Sequence, residues 1–383
     1  MTAPRVALIT SSYAPHVGGV ETHVAEVARA LTARGSSVEV WAVDRGERMD
    51  AESPEGFPVR YLPTPLPARR VASLVRFGLR APGAWAQWAR AFRRFRPDVL
   101  HVHCFGPNGL YALALHRRFG TPLVVTSHGE TTGDDDNVFA QSALLRRGLR
   151  SALAEAVAVT APSEHVLSDL RARFGLTGGV VVPNGVTRDM TQDPGVRARL
   201  PAGAYLAAVG RLGRMKGFDL LLEAFARVRS TGTDVRLVIA GDGPERAALQ
   251  DQAAVLGVGH VVDFLGWCSP GEVAAVLAGS WALVVPSRSE AFGIAALEAW
   301  RAETALVMTN RGGAAEFVRD GEDGILVDPQ DVDALAAAIR RVLTDPPLRA
   351  RLASAGADRV AEFTWERVAD RYLPLYPTAE AAG

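Results

Sequence analysis

Short apolar runs alternate with helix-length amphipathic stretches along nearly the whole chain, and the series occurs twice. Val6–Thr10, Ser37–Val43, Asp98–Val102, Leu123–Thr126, Ala156–Thr160 and Val180–Val182 read as strands, with a glycine loop and helix over Gly18–Leu31 after the first. The second series is Tyr205–Val209, Val235–Ala240, Val261–Phe264, Ala282–Val285 and Leu306–Met308, separated by helices such as Asp219–Arg229 and Pro244–Leu256. Runs this short and this apolar offer no polar face to water. They suit strands covered on both sides, as in a parallel sheet with crossover helices. The pattern predicts an α/β fold of two Rossmann-like, doubly wound parallel-sheet domains. A chain of 383 residues is long enough for two cores. The break is expected after Pro183-Asn184-Gly185, where the chain turns polar. The aromatic segment Phe363–Tyr376 is too apolar for a free tail and predicts a docked helix, whereas Thr378–Gly383 reads as a loose end.

Charge and cysteine usage narrow the function classes. Formal net charge is zero, so nothing draws the whole chain toward nucleic acid. The halves differ: residues 1–185 carry 21 arginines against 16 acidic residues, and the remainder 21 basic against 26 acidic. Cys104 and Cys268 lie far apart in sequence and form no disulfide framework, which fits a reducing cytoplasm. The N-terminal residues lack the pattern of a signal peptide. No apolar run reaches the roughly 18 residues of a membrane span.

In open α/β sheets ligands bind beyond the carboxyl ends of the strands, so two such domains facing each other predict one central cleft lined by strand-end loops. The first loop carries Gly18-Gly19, followed by Glu21 and His23 on a helix. Paired glycines let backbone approach an anion at a helix N-terminus, and equally make an ordinary turn. His128, in T-S-H-G-E after a strand, is either a donor to a ligand hydroxyl or a satisfied structural group. The third loop holds Arg211 and Lys216, and Lys216 is the only lysine of the chain. In a sequence that otherwise uses arginine, one retained ammonium points to close reading of charge, with phosphate the obvious anion, or is a chance survivor on a solvated helix end. The fourth loop, Pro286 to Glu298, sets Glu290 before Phe292-Gly293-Ile294 at a helix start and Glu298 two turns on. A glycine-opened helix N-terminus seats phosphate, and carboxylates on either side can accept from sugar hydroxyls.

With these motifs in order, the chain resembles the retaining glycosyltransferases of the GT-B fold, family 4. The resemblance rests on G-G-V-E-T-H, D-V-L-H-V-H, T-S-H-G, V-P-N-G-V, V-G-R-L-x3-K-G, A-G-D-G-P-E-R, F-L-G, the spacing Glu290-x7-Glu298, the segment Arg311–Val327 and the terminal F-T-W-E-R-V-A. It implies an acceptor-binding domain over 1–185, a nucleotide-sugar donor domain over 186–360, and a helix and tail over 361–383 that cross back to the first domain. It implies that Arg211 and Lys216 hold the donor diphosphate and that Glu298 binds the ribose. Glu290, with the amides of Phe292, Gly293 and Ile294, would hold the sugar. Gly18 and Gly19 would close over phosphate or acceptor, and His128 would sit by the sugar. No metal or other cofactor is implied. Asp134, Asp135 and Asp136 superficially match a D-x-D metal motif of the other glycosyltransferase fold, but read as an exposed loop or an acceptor contact, alongside Glu21 and His23. Ala291 and the Ala302–Ala305 stretch depart from the family pattern without removing a charged site residue.

The resemblance implies a cytoplasmic hexosyltransferase that uses a UDP- or GDP-sugar and a hydroxyl acceptor, with retention by a front-face route. A nucleotide-sugar isomerase (epimerase) on the same fold, or a non-catalytic nucleotide-sugar binder, is the alternative. The acceptor is a small molecule or a lipid-linked glycan. Residues 69–96 hold eight arginines interleaved with aromatics and no acid. They read either as a peripheral contact with an anionic inner-membrane face or as a helical pair with its aromatics in the core and its arginines in water.

Overall fold

The structure, a computed structural model, describes residues 3–16, 18–46, 56–67, 71–131 and 138–377. Asp134–Asp136, Arg69 and Arg70 lie outside the described residues. The chain divides into two compact units, Met1–Pro183 with Trp365–Gly383, and Asn184–Thr364.

The first unit is built on strands β1 (Arg5–Thr10), β2 (Ser37–Val43), β3 (Val59–Leu62), β4 (Val99–His103), β5 (Leu123–Thr126), β6 (Ala158–Ala161) and β7 (Val180–Val181). Its helices are α1 (Gly19–Ala33), α2 (Val71–Phe95), α3 (Pro107–Phe119), α4 (Val138–Gln141), α5 (Ala143–Glu155) and α6 (Glu164–Phe174). All strand pairs are parallel, in the order β3-β2-β1-β4-β5-β6-β7. The order reverses between β1 and β4, which makes their carboxyl ends the switch point of the sheet. Apart from Glu39 in β2 and His101 in β4, the buried strand interior is apolar until its last row. There Thr10, His103, Thr126 and Thr160 stand in register across four strands, all fully or almost fully buried.

The second unit has strands β8 (Tyr205–Val209), β9 (Arg236–Ala240), β10 (Val262–Gly266), β11 (Ala282–Val285), β12 (Ala305–Thr309) and β13 (Ile325–Val327). Its helices are α7 (Phe218–Ser230), α8 (Arg246–Val255), α9 (Pro270–Gly279), α10 (Ile294–Arg301), α11 (Val332–Thr344) and α12 (Pro346–Arg359). The parallel order is β10-β9-β8-β11-β12-β13, with its switch point between β8 and β11. Successive residues of each strand enter two different cores. Leu206, Ile239, Val284 and Val307 pack on one face, with Leu221 and Leu335. Ala207, Val238, Leu283 and Leu306 pack on the other, with Leu277 and Trp300. This double burial is why the strands read as unbroken apolar runs.

The last helix, α13 (Trp365–Tyr372), packs on α1 in the first unit. Arg34, just past the end of α1, binds both carboxylate oxygens of Asp370, at 2.5 and 2.8 Å, and the Glu366 carbonyl at 2.7 Å.

Two strands escape the sequence reading. β3 is a half-exposed edge strand between prolines, and β13 has three residues, too few to display a period. A helical pair was the bland expectation around residues 69–96, but α2 is one helix with Pro82 inside it. Its carboxyl half is anchored: Trp88 is fully buried, stacks on Tyr111 and donates to the Pro63 carbonyl at 2.9 Å.

Close helix packing in the second unit depends on Gly356 of α12, where a Cβ would lie 2.2 Å from Trp300 Cδ1. Gly356→Val should overpack this contact at a cost of about 1–3 kcal/mol. A calorimetric scan should show it as a lowered melting temperature, and an unchanged transition would contradict this packing account.

Candidate active site

At the switch point of the second unit, two loops are locked together by a backbone contact. Gly217 has φ +67, and a Cβ there would stand 2.1 Å from the Pro286 carbonyl oxygen. Only glycine satisfies both demands. The Arg288 amide donates to the Met215 carbonyl at 2.9 Å, and its guanidinium grips Asp219 through two bonds of 2.7 and 2.5 Å. The loop after β8 is thereby tied to the loop after β11. That tie brings Lys216 Nζ to 2.7 Å from Glu290 Oε2. Ser287, itself buried, donates from Oγ to the same oxygen at 2.8 Å. Backbone holds Glu290 as well: its amide donates to the Arg311 carbonyl at 3.0 Å, and its carbonyl accepts from Gly313 at 2.8 Å.

The other residues singled out in this unit surround that pair in sequence and differ in state. Arg211 is exposed and makes no side-chain hydrogen bond or ion pair among the described residues. The Phe292 side chain is buried and stacked on Phe317 with ring centroids 4.2 Å apart, so only its backbone remains for a ligand. Gly293 precedes α10 with φ +97, and a Cβ there would meet Met308 Cε at 2.6 Å. The amides of Phe292, Gly293 and Ile294 find no backbone acceptor among the described residues. Glu298, one turn into α10, keeps some surface exposed, but its carboxyl is packed deep enough that burial pushes its pKa up, opposed by Arg301. It has no hydrogen-bond partner among the described residues. A buried carboxylate without a donor is costly unless a ligand supplies one.

At the switch point of the first unit, Gly18 and Gly19 are exposed at the start of α1, where Gly18 is extended. Glu21 lies in the first turn, its carboxylate near where a Gly18 Cβ would be, at 2.8 Å. His23 is not at the surface: it is 1 % exposed, and its Nε2 lies 3.1 Å from the Tyr372 hydroxyl of α13. This burial sets it apart from the acceptor contact expected of it. His128 follows β5 in a tight loop stapled by Glu130. The Glu130 carboxylate accepts from the His128 amide at 2.7 Å, from Ser127 Oγ at 2.8 Å and from the Phe105 amide at 2.9 Å. Burial pushes the Glu130 carboxyl up against the pull of these donors.

The sequence reading missed what surrounds His128. His101 and His103, on one face of β4, join His23 and His128 in a cluster of imidazoles. His103 Nδ1 lies 3.2 Å from His128 Nε2. His101 bonds Tyr376 at 2.8 Å and Thr126 at 2.7 Å, and Thr126 bonds Thr160 at 2.6 Å. Histidines spaced two apart in an apolar strand were the available signal. His23, His103 and His128 each offer a ligand nitrogen, all within 4.8 Å of one another, so they are the one group among the described residues with a metal-ligand arrangement. Burial, then the neighbouring imidazoles, holds His101, His103 and His128 well below the usual histidine range.

Two all-parallel doubly wound units, each with its unusual residues at the switch point, define the GT-B class. Residues 17–189 match glycosyltransferase family 4, and residues 197–359 match glycosyl transferases group 1. The chain is 32% identical to glycogen synthase of Mycobacterium tuberculosis, over 98% of this chain and 95% of that protein. It is also 32% identical to D-inositol 3-phosphate glycosyltransferase of Acidothermus cellulolyticus, over 99% of this chain and 91% of that one. Among solved structures, sucrose-phosphate synthase from Thermosynechococcus elongatus superposes with a TM-score of 0.81 at 24% identity, covering 99% and 100% of the two chains. The chain belongs to the group 1 glycosyltransferases of family 4.

The buried imidazoles make an acid-stability prediction. Unfolded histidines take up protons near pH 6.5, whereas these three resist protonation in the fold. Stability should therefore fall as pH drops below about 6.5, by about 1.4 kcal/mol per pH unit for each proton taken up only on unfolding. The raised carboxyls of Glu130 and Glu298 act in the opposite sense, starting from the lower carboxylate range. Urea titrations at pH 7.5, 6.5 and 5.5 measure the slope, and equal stability at all three would refute the burial of neutral histidines.

Proposed function

We propose that this glycosyltransferase moves a hexosyl group from a nucleoside diphosphate sugar to a hydroxyl acceptor, with retention of configuration and without a bound metal. The observation that carries the reading is the Lys216–Glu290 pair at the β8/β11 switch point. An ammonium has three donors, so Lys216 can keep Glu290 and still bind a phosphate oxygen. Arg211 supplies the second cation. Glu298 accepts from the ribose diol, and Glu290 with the amides of Phe292, Gly293 and Ile294 holds the sugar.

In the transfer step, the acceptor oxygen bonds the anomeric carbon on the face from which the diphosphate leaves. The bond from that carbon to the phosphate oxygen breaks, and its electron pair stays on the diphosphate. The acceptor proton passes to a phosphate oxygen. Charge grows on the leaving diphosphate, and Arg211 and Lys216 stabilise it more in the transition state than in the ground state. The two glutamates serve the donor in separate places, so the paired carboxyls of a glycosidase are not required. A nucleotide-sugar isomerase would need a catalytic acid and base acting on the sugar ring. Among the described residues, burial holds His101, His103 and His128 of the first unit below the usual histidine range, which makes them poor bases and favours transfer.

UDP is the first nucleotide to test, because a solved GT-B relative of 20% identity, Anabaena HepE, was crystallised with UDP and with UDP-glucose. Calorimetric titration with UDP, GDP, dTDP and ADP in metal-free buffer should give saturable binding of one of them. Lys216→Ala should weaken it and lower kcat by about 30- to 1,000-fold, equivalent to about 2–4 kcal/mol. Near-normal turnover of Lys216→Ala at saturating donor would remove Lys216 from the mechanism.

The acceptor belongs to the first unit in this reading. A cavity of about 560 Å³ lies beside the amino-terminal half of α2, lined among others by Asp44, Thr64, Leu79, Arg80 and Gln87. Val75 and Leu79 of the same half-helix are 59% and 78% exposed, and Arg76 and Arg80 are exposed beside them. Apolar side chains flanked by arginines suit an anionic lipid surface and a lipid-linked acceptor. Trp88 and Phe92, further along α2, are buried and are excluded from that contact. Vesicles with anionic lipid should co-sediment the protein at low salt, and Leu79→Glu should release it. Sedimentation that ignores vesicle charge would leave a small soluble acceptor in its place.

A further inference from the structure

His128 and His103 share one short contact, and a neighbouring atom decides which ring donates across it. The contact runs from His103 Nδ1 to His128 Nε2 at 3.2 Å. Between two neutral imidazoles, one nitrogen must carry the proton and the other the lone pair. If His128 donates, the proton of His103 sits on its Nε2. That nitrogen is buried and has no hydrogen-bond partner. It is enclosed by the rings of His101, His23, His128 and Tyr372, with centroids 4.1, 5.2, 5.5 and 6.2 Å away. If His103 donates instead, the unpartnered Nε2 carries only a lone pair. An orphaned N–H is the rarer and costlier of the two. The second arrangement therefore holds, and its consequence passes along the ring. His128, accepting at Nε2, carries its own proton on Nδ1. That atom has no hydrogen bond to a described residue and is not among the buried unpartnered atoms, so it is open to a ligand.

We propose that His103 is a positioning residue that fixes His128 as its Nδ1–H tautomer, so that His128 donates a hydrogen bond to a substrate hydroxyl and does not act as a base. The contact to substrate rests on the transferase reading above; the tautomer does not. The groups facing this pair are His23 of α1, His101 of β4, Glu130 in the His128 loop and Tyr372 of α13. Burial holds His101 well below the usual histidine range and the Tyr372 phenol well above its own, and Glu130 is directed to backbone amides and Ser127, away from the imidazole contact. The surroundings thus supply no anion to draw a second proton onto either ring, in line with the low basicity of both.

The test is a long-range proton–nitrogen correlation spectrum of the ¹⁵N-labelled, ligand-free protein, with the two rings assigned by His103→Asn and His128→Gln. The expected pattern is a protonated Nδ1 and an unprotonated Nε2 on both rings, unchanged from pH 8 to pH 6. A protonated Nε2 on His128, or a ring that titrates near pH 6.5, overturns the proposal. So does stoichiometric Zn²⁺ binding that perturbs His23, His103 and His128 together, because those nitrogens would then be metal ligands. In turnover, His103→Leu removes the donor and should lower kcat about tenfold, one hydrogen bond's worth, with the donor KM little changed. His103→Asn keeps an N–H near the Nδ1 position and should restore most of that loss. Equal losses in both variants would make His103 a packing residue only. If the spectrum agrees but neither variant alters turnover, the tautomer stands and the substrate contact falls.

Discussion

A parallel strand cannot hairpin back to its neighbour, so each connection must cross a face of the sheet, and both faces end up covered. In the second unit this puts Leu206 and Ala207, adjacent in sequence, into two separate cores. Polar chemistry has no place along such strands and is pushed to their carboxyl ends. The switch point between β8 and β11 then draws two of those ends together from distant parts of the chain. Lys216 and Glu290, far apart in sequence, meet at 2.7 Å because Gly217 lets the two loops touch.

The first unit meets the same constraint with a different result. Its sheet ends in a polar row, Thr10, His103, Thr126 and Thr160, and that row is buried rather than open. Burying four such groups is costly unless each finds a partner. Some of the partners come from near the end of the chain: the Tyr372 hydroxyl lies 3.4 Å from Thr126 Oγ1, and Tyr376 bonds His101, which in turn bonds Thr126. The last helix is therefore more than an apolar plug. With the residues just after it, it adds hydrogen bonds to the layer that supports His128, tying Tyr372 and Tyr376 to Thr126 and His101, 246 and 275 positions earlier.

Most of the architecture was legible because double burial leaves an unmistakable trace, runs such as Leu237–Ala240 and Ala282–Val285 with no polar residue. The weak points were the sheet edges. β3 is half exposed and β13 is too short to show a pattern. The charged members of the second-unit loops were equally legible, since Arg211, Lys216, Glu290 and Glu298 follow strands or open a helix. The histidine cluster was not, beyond His128 and His23. His101 and His103 read as ordinary members of an apolar strand, and nothing local to D-V-L-H-V-H tells that a helix near residue 370 covers it.

The sequence by itself determined all the strands but β3 and β13, their parallel class, the two-unit division into repeated α/β series and the residue types at each strand end. These follow from local periodicity and from the chemistry of single side chains. Only the tertiary structure decided which of those residues touch. It paired Lys216 with Glu290, left Arg211 unpaired at the surface, and took His23 from the surface into the interior. It also set one imidazole against another, so that the state of His128 depends on a buried nitrogen of His103. The reason is physical: a hydrogen bond or a proton's location depends on distances of a few tenths of an ångström between distant segments, and no local pattern encodes those distances.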